Sequence, residues 1–379
     1  MKNNILIIGS GISGLAAALL LSKRGYGKDI IIIEKGTAVG GLLKKYDYGT
    51  EHGVFDYGMH NFLETGIKEL DDLIFDLLPK TDWQILEGKN RDLAGLFYNG
   101  VLQKNTPFFD IRNLGEKEYG ECLANLFSHL NTDLNVTENQ ITTALDFAIK
   151  RFGEKVASKT IIPSVEKIHK MPAEELDYMA TLFTPMSRIA FADEVLVTEL
   201  TKSDKLKELI AWSDQRTLPL NRSSGRKAYY PIKYGAYRVV DAIIKQLKES
   251  GVTIMTESTL SNITIKDNAI DTIEVKNGLK NEIFYCPKSV LWTGGIPPLG
   301  QALKTDFTIL KFDKPLKTII VNILLNKQLN IGDLYYFFCY DNCFNTYRLT
   351  NYINYSQGAI RNGLYPVCIE LLVKEQDLL

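Results

Sequence analysis

The chain has 379 residues, 45% of them hydrophobic and 23% charged, which is enough apolar material for two globular domains. Its formal net charge of −1 gives no bulk attraction to nucleic acid or to an anionic membrane. No stretch approaches the ~20 apolar residues needed to span a bilayer. Five scattered cysteines (Cys122, Cys286, Cys339, Cys343 and Cys368) make no disulfide framework and fit a reducing, cytoplasmic compartment. Cys339 and Cys343 form a C-x3-C pair, but no second pair or nearby histidine completes a metal site, so no metal is expected.

Residues 4–8 predict a short apolar strand of the kind buried on both faces of a parallel sheet. Their run is broken by Gly9, Ser10, Gly11 and Gly14, which argues against a signal peptide. A helix is expected over 15–21, with Lys23 and Arg24 at its C-terminal end and Gly25 as its cap. A second strand over 29–33 ends at Glu34. The G-x-G-x-x-G spacing has a physical reading. Gly9 permits a tight turn, Gly11 lets a pyrophosphate approach the backbone, and Gly14 lets helix and strand pack closely. The helix N-terminus, reached through Ser10, Ile12 and Ser13, offers free N–H groups to phosphate, and Glu34 can accept from ribose hydroxyls. The bland alternative is a glycine-rich turn with no ligand.

Next come Glu34-Lys35, then Val39-Gly40-Gly41-Leu42-Leu43, then Phe55-Asp56-Tyr57-Gly58-Met59-His60. Here the chain resembles the flavoprotein amine oxidase and protoporphyrinogen oxidase superfamily, which includes UDP-galactopyranose mutase. The resemblance implies an FAD cofactor, with Lys35, Gly40, Gly41 and Leu42 beside it. It also implies that Gly58, Met59, His60 and Asn61 approach the isoalloxazine ring. His60 is the catalytic candidate, weighed against a satisfied structural histidine. The mutases carry a second histidine after this one, whereas here Phe62 is followed by Leu63.

A third block resembling the superfamily opens at Tyr230-Pro231 and Gly235, with Ala236 where a second glycine is usual. An amphipathic helix follows, carrying Val239, Val240, Ile243, Ile244 and Leu247 on one face and ending at Gly251. A strand is expected over 252–255. Residues 257–263 resemble the segment whose backbone contacts the adenine, with Leu260 in the place of the usual valine. Strands over 263–266 and 270–275 around Asp267-Asn268 predict a hairpin. A strand over 289–293 then returns Thr293 and Gly294 towards the cofactor. The fold expected is α/β: a discontinuous Rossmann-like FAD-binding domain (1–62 and 229–300) with an inserted mixed helical and β-sheet substrate domain (63–228 and 301–379).

Within the insertion, residues 67–78 have the apolar period of a core-facing helix, and 96–106 predict a hairpin turning at Asn99-Gly100. The largely helical stretch 141–188 carries Phe152-Gly153, Ile162-Pro163, Glu166-Lys167, Pro172, Glu175-Leu176 and Arg188-Ile189 in an order resembling the mutase-like and protoporphyrinogen-oxidase-like branch. Arg216, Arg222, Arg226 and Lys227 precede Tyr229 and Tyr230, and Tyr347-Arg348 lies near Tyr352 and Tyr355. From these, Arg188, Arg226, Tyr230, Tyr347 and Arg348 are candidates for a polar or anionic small-molecule substrate, against the plainer reading of a solvated basic loop and surface aromatics.

Residues 367–372 predict a strand containing Glu370. No G-D…G-A…S-G pattern, with which the superfamily closes over its flavin, follows residue 300. A truncated form, a homo-oligomer or second chain that completes the site, and a loosely held flavin are the alternatives. Three functions remain open: oxidation of a substrate, such as a nucleotide sugar, by hydride transfer to flavin N5; redox-neutral sugar rearrangement on reduced flavin; and a flavin-binding scaffold without turnover.

Overall fold

The computed structural model describes residues 4–132, 141–223, 225–278, 280–305 and 314–378. By its contacts the chain divides into two compact units, residues 1–84 with 226–314, and residues 85–225 with 315–379.

The first unit is built on a parallel sheet. Strand β1 (Ile5–Ile8) and strand β2 (Ile30–Ile33) are almost wholly aliphatic, and nearly every side chain in them is buried. Such strands must be covered on both faces, which suits the interior of a parallel sheet. They pair in register from Ile5 with Ile30 to Ile8 with Ile33. Thr253–Met255 joins on the far side of β2 and Ser289–Trp292 on the far side of β1, both parallel. All four strands therefore end at one edge.

Helix α1 (Ile12–Leu21) connects β1 to β2. Its last turn widens over Ser22–Tyr26, where Gly25 takes φ +90°, the left-handed conformation for which a terminating glycine is suited. The amphipathic helix Tyr237–Glu249 buries Val239, Val240, Ile243 and Leu247 and packs on α1. The opposite face carries an antiparallel sheet of Ser258–Lys266, Ala269–Asn277 and Lys280–Tyr285. Ile263, Ile273, Val275 and Phe284 from it close over Leu6, Ile8 and Ile33. Asp267 and Asn268 both have positive φ, as a two-residue hairpin turn requires.

The unit boundary lies later than the expected residue 62. Helix Lys68–Phe75 packs on α1, so the chain leaves the first unit only after Gln84.

The second unit has a six-stranded sheet in the order Lys317–Leu325, Tyr365–Val373, Thr346–Asn351, Tyr336–Cys339, Ala94–Tyr98 and Val101–Gln103. Asn99 and Gly100, both at positive φ, turn the last hairpin. Helices Glu116–Thr132, Ala144–Phe152 and Ile162–His169 supply its core with Leu126, Phe147, Phe152, Val165 and Ile168. The helical run expected over 141–188 is broken at Gly153, φ +80°, and gives way to turns after His169. Among the described residues no helix is long and apolar enough to cross a membrane.

Candidate dinucleotide and flavin site

The edge where the four parallel strands end carries the glycine loop. Gly9 sits at φ +102°, and its N–H donates to Ile33 O at 2.8 Å. A Cβ on Gly14 would lie 2.2 Å from Gly9 O, so helix and loop approach as closely as backbone allows. Gly11 differs from both. It is the N-cap of α1 in an extended conformation, no side chain caps the helix there, and a Cβ on it would meet nothing within 4 Å. The loop is therefore packed from below by Gly9 and Gly14 and open above Gly11. Free amides in the first helical turn, with the helix dipole behind them, favour a phosphate in that space.

The second glycine turn lies against the first. Gly40 has φ +113° and its N–H donates to Ser10 O at 2.9 Å, while a Cβ on Gly41 would stand 3.0 Å from Gly11 Cα. Thr293 closes the other side: its hydroxyl donates to Ile8 O at 2.9 Å and Gly9 O at 3.2 Å. Gly9, Ser10, Gly11, Gly14, Gly40, Gly41 and Thr293 thus form one cradle. Ile12 and Ser13 open the helix, and Lys35 and Leu42 are exposed beside the turn.

Glu34 tightens this cradle. Its Oε2 accepts from Ser10 N at 2.9 Å and Ser10 Oγ at 2.6 Å, and its Oε1 accepts from Gly36 N at 2.7 Å. Burial pushes the carboxyl pKa up, but the hydrogen bonds from Ser10 and Gly36 and the nearby charge of Lys35 outweigh it. The group is held below its ordinary 4.5. A depressed native pKa contributes stability that is present above the unfolded value and lost as pH falls through the native one. Glu34→Gln should accordingly flatten the acid limb of a stability-against-pH profile below about pH 4.5, measured by denaturation at stepped pH. Beyond Glu34 lies a cavity of about 310 Å³, lined among others by Lys35, Leu260, Trp292, Gly294 and Gln301.

The segment Phe55 to Asn61 is held by a buried carboxylate whose role the sequence reading did not anticipate. Asp56 is 2% exposed. Its Oδ2 accepts from Tyr230 Oη at 2.6 Å and from Ala236 N at 3.1 Å, and its Oδ1 accepts from Tyr237 N at 3.4 Å, at the start of helix Tyr237–Glu249. Its own N–H donates to Tyr234 Oη at 3.0 Å. Burial, and then the charge of Asp56, push the Tyr230 hydroxyl well above its ordinary range, so it stays protonated and donates. Tyr230 is fully buried in this role, which removes it from the surface a substrate would touch. The network sets the exit of the strand Val54–Asp56, and with it Gly58 (φ +78°), buried Met59, and half-buried His60 and Asn61. His60 Nδ1 lies 3.3 Å from Gly58 O.

The remaining substrate candidates are divided between the units. Arg226 is exposed in the first, beside Gly66 and near Asp71. In the second, Arg188 lies 3.5 Å from Glu208, and Tyr347 is half-buried against Phe338. Arg348 forms a two-pronged pair with Glu370, at 2.7 and 3.1 Å, with little of either side chain exposed. Its charge is already matched within the sheet. Arg216 likewise pairs with Asp214 and Asp333, and Arg222 donates to Ile210 O. An apolar cavity of about 230 Å³ in the second unit, between Phe127, Phe191 and Leu206, is lined by none of the candidates.

Residues 7–76 match the NAD(P)-binding Rossmann-like domain family. Coproporphyrinogen III oxidase of Staphylococcus aureus is 25% identical over 272 residues, covering 69% of this chain and 55% of that protein. The chain spans about half the length of the curated relatives it matches. A solved structure of reduced UDP-galactopyranose mutase superposes with TM-score 0.72 at 18% identity, over 98% of this chain and 75% of that one. A candidate protoporphyrinogen oxidase of Exiguobacterium sp. gives 0.65 at 17% identity, over 98% and 77%. The chain has the fold of these solved structures, with an N-terminal Rossmann-like domain at its head.

Proposed function

We propose that this chain, an oxidoreductase-like protein with a dinucleotide-binding Rossmann domain, binds FAD in its first unit and uses it to oxidise a polar small molecule. The observation that carries the reading is the second glycine turn, Gly40-Gly41, seated directly on the Gly9–Gly14 loop. A nicotinamide site needs only the first loop; a flavin dinucleotide running on towards Gly58 to Asn61 gives the second one a purpose.

The protein's part is to bind and to orient. The first turn of α1 would hold the pyrophosphate, and Glu34, its carboxylate fixed by Ser10 and Gly36, would accept from ribose hydroxyls with its remaining lone pairs. Asp56 fixes the strand end from which His60 is presented to the ring. When bound, the flavin supplies a hydride acceptor at N5, so no protein nucleophile is required. Placement and exclusion of water are then the main tasks left to the side chains.

A second reading, a sugar mutase working on reduced flavin, is favoured by the superposition on UDP-galactopyranose mutase. Against it, Leu63 is exposed where a second histidine is expected. Anaerobic titration with candidate nucleotide sugars separates the two. Bleaching of the flavin band by substrate, without isomerised product, supports oxidation. Turnover only after pre-reduction with dithionite or NAD(P)H supports the mutase reading.

A further inference from the structure

We propose that the cavity of the second unit between Phe127, Phe191 and Leu206 binds a medium-chain fatty acid of about eight carbons, its tail inward and its carboxylate at Lys205. The hollow follows from the elements around it. Its floor is made by Phe152, Ile189 and Ile210, each no more than 2% exposed. Ile189 belongs to a strand of two residues, Ile189–Ala190, and Leu200, Leu206 and Leu209 come from the short helices Glu194–Leu200 and Asp204–Leu209. Elements so short bring few side chains to interdigitate, and a space of about 230 Å³ is left between them. Helix Glu116–Thr132 closes one wall with Leu126 and Leu130, four residues apart on one face. Phe127 stands exposed at the rim, its ring edge-on to Phe191 at 6.2 Å.

Size and polarity choose the occupant. An apolar cavity left empty destabilises a fold in proportion to its volume. Water is a poor filler, because it needs two to four polar partners, and among the described residues the lining is apolar except for Ser203 and Lys205. A cavity of about 150 Å³ lined by Leu, Ile and Phe takes up benzene, so the same packing admits about nine heavy atoms here. The two polar lining residues are both exposed, at the mouth, while the floor is buried. The cavity thus has a closed apolar end and an open end that carries a cation. A lysine stem lies along such a rim with its ammonium in water. Of the neighbouring charges, Lys202 pairs with Glu199 at 2.6 Å and Glu208 lies 3.5 Å from Arg188. An alkyl chain ending in a carboxylate matches both ends at once.

The full chain is titrated calorimetrically with hexanoate, octanoate, dodecanoate and octan-1-ol. Octanoate should saturate and bind roughly 15-fold more tightly than hexanoate, since each buried CH₂ gives about a fourfold gain. Dodecanoate should gain no more than about threefold over octanoate, because its added carbons find no cavity. Leu206→Trp fills the space and should weaken octanoate at least ~10-fold; Leu200→Phe serves in its place if the thermal transition shows that tryptophan disturbs the fold. Lys205→Glu, at an exposed position, should unfold like the parent, weaken octanoate roughly three- to tenfold and leave octan-1-ol unchanged. Octanoate that fails to saturate at millimolar concentration, or that binds a folded filled variant as it binds the parent, would overturn the site. Octanoate and octan-1-ol binding alike, with no response to Lys205→Glu, would overturn the carboxylate assignment. An undiminished gain per carbon up to dodecanoate would mean adsorption to the surface, and would also count against it.

Discussion

Replacing Asp56 with alanine is expected to cost about 3–5 kcal/mol of folding stability, measured by urea denaturation, and to abolish cofactor retention. The carboxylate is almost wholly buried and takes hydrogen bonds from the Tyr230 hydroxyl and from the backbone at Ala236 and Tyr237. Removing it takes away the acceptor of a fully buried phenol O–H and of the N–H groups that open helix Tyr237–Glu249 in one step. Asp56→Asn keeps an acceptor but loses the charge, and should fall between alanine and the parent. Equal stability of the parent and the alanine variant would mean that the network does not hold this segment.

The second large effect separates two glycines of one motif. Gly14→Ala puts a Cβ 2.2 Å from Gly9 O, and since that neighbour is backbone it cannot swing aside. It should lose about 1–3 kcal/mol of stability together with dinucleotide binding. Gly11→Ala meets nothing in the protein, and its extended backbone accepts alanine without strain. It should unfold like the parent yet bind FAD roughly 10- to 100-fold more weakly, because the added methyl keeps phosphate from the helix amides. If Gly11→Ala leaves binding untouched, the loop is a packing turn and not a ligand cradle.

The parts of this site that were legible in the sequence are those made by local chemistry. The run Ile5–Ile8, the three glycines and the run Ile30–Ile33 each declare burial or tight turning within a few residues. The hairpins at Asn99-Gly100 and Asp267-Asn268 were readable for the same reason, since their turn residues accept positive φ. What the sequence hid depends on distant partners. Asp56 and Tyr230 are 174 positions apart, and nothing near either one shows that they meet. The only local signal was an acid in an otherwise apolar strand, which must find donors if buried. Arg348 looked available for a substrate because its partner depends on strand register, and register sets it opposite Glu370. The domain boundary moved because an amphipathic helix announces that it packs, not what it packs against. Its docking on α1 carried residues 63–84 into the first unit.

The most direct test of the central claim is the visible spectrum of the purified chain, before and after incubation with FAD and removal of free ligand by gel filtration. A stoichiometric protein-bound flavin band is expected, absent or greatly reduced in Gly11→Ala, whose unfolding transition matches the parent's. A folded parent chain that neither carries flavin nor takes up FAD would contradict it.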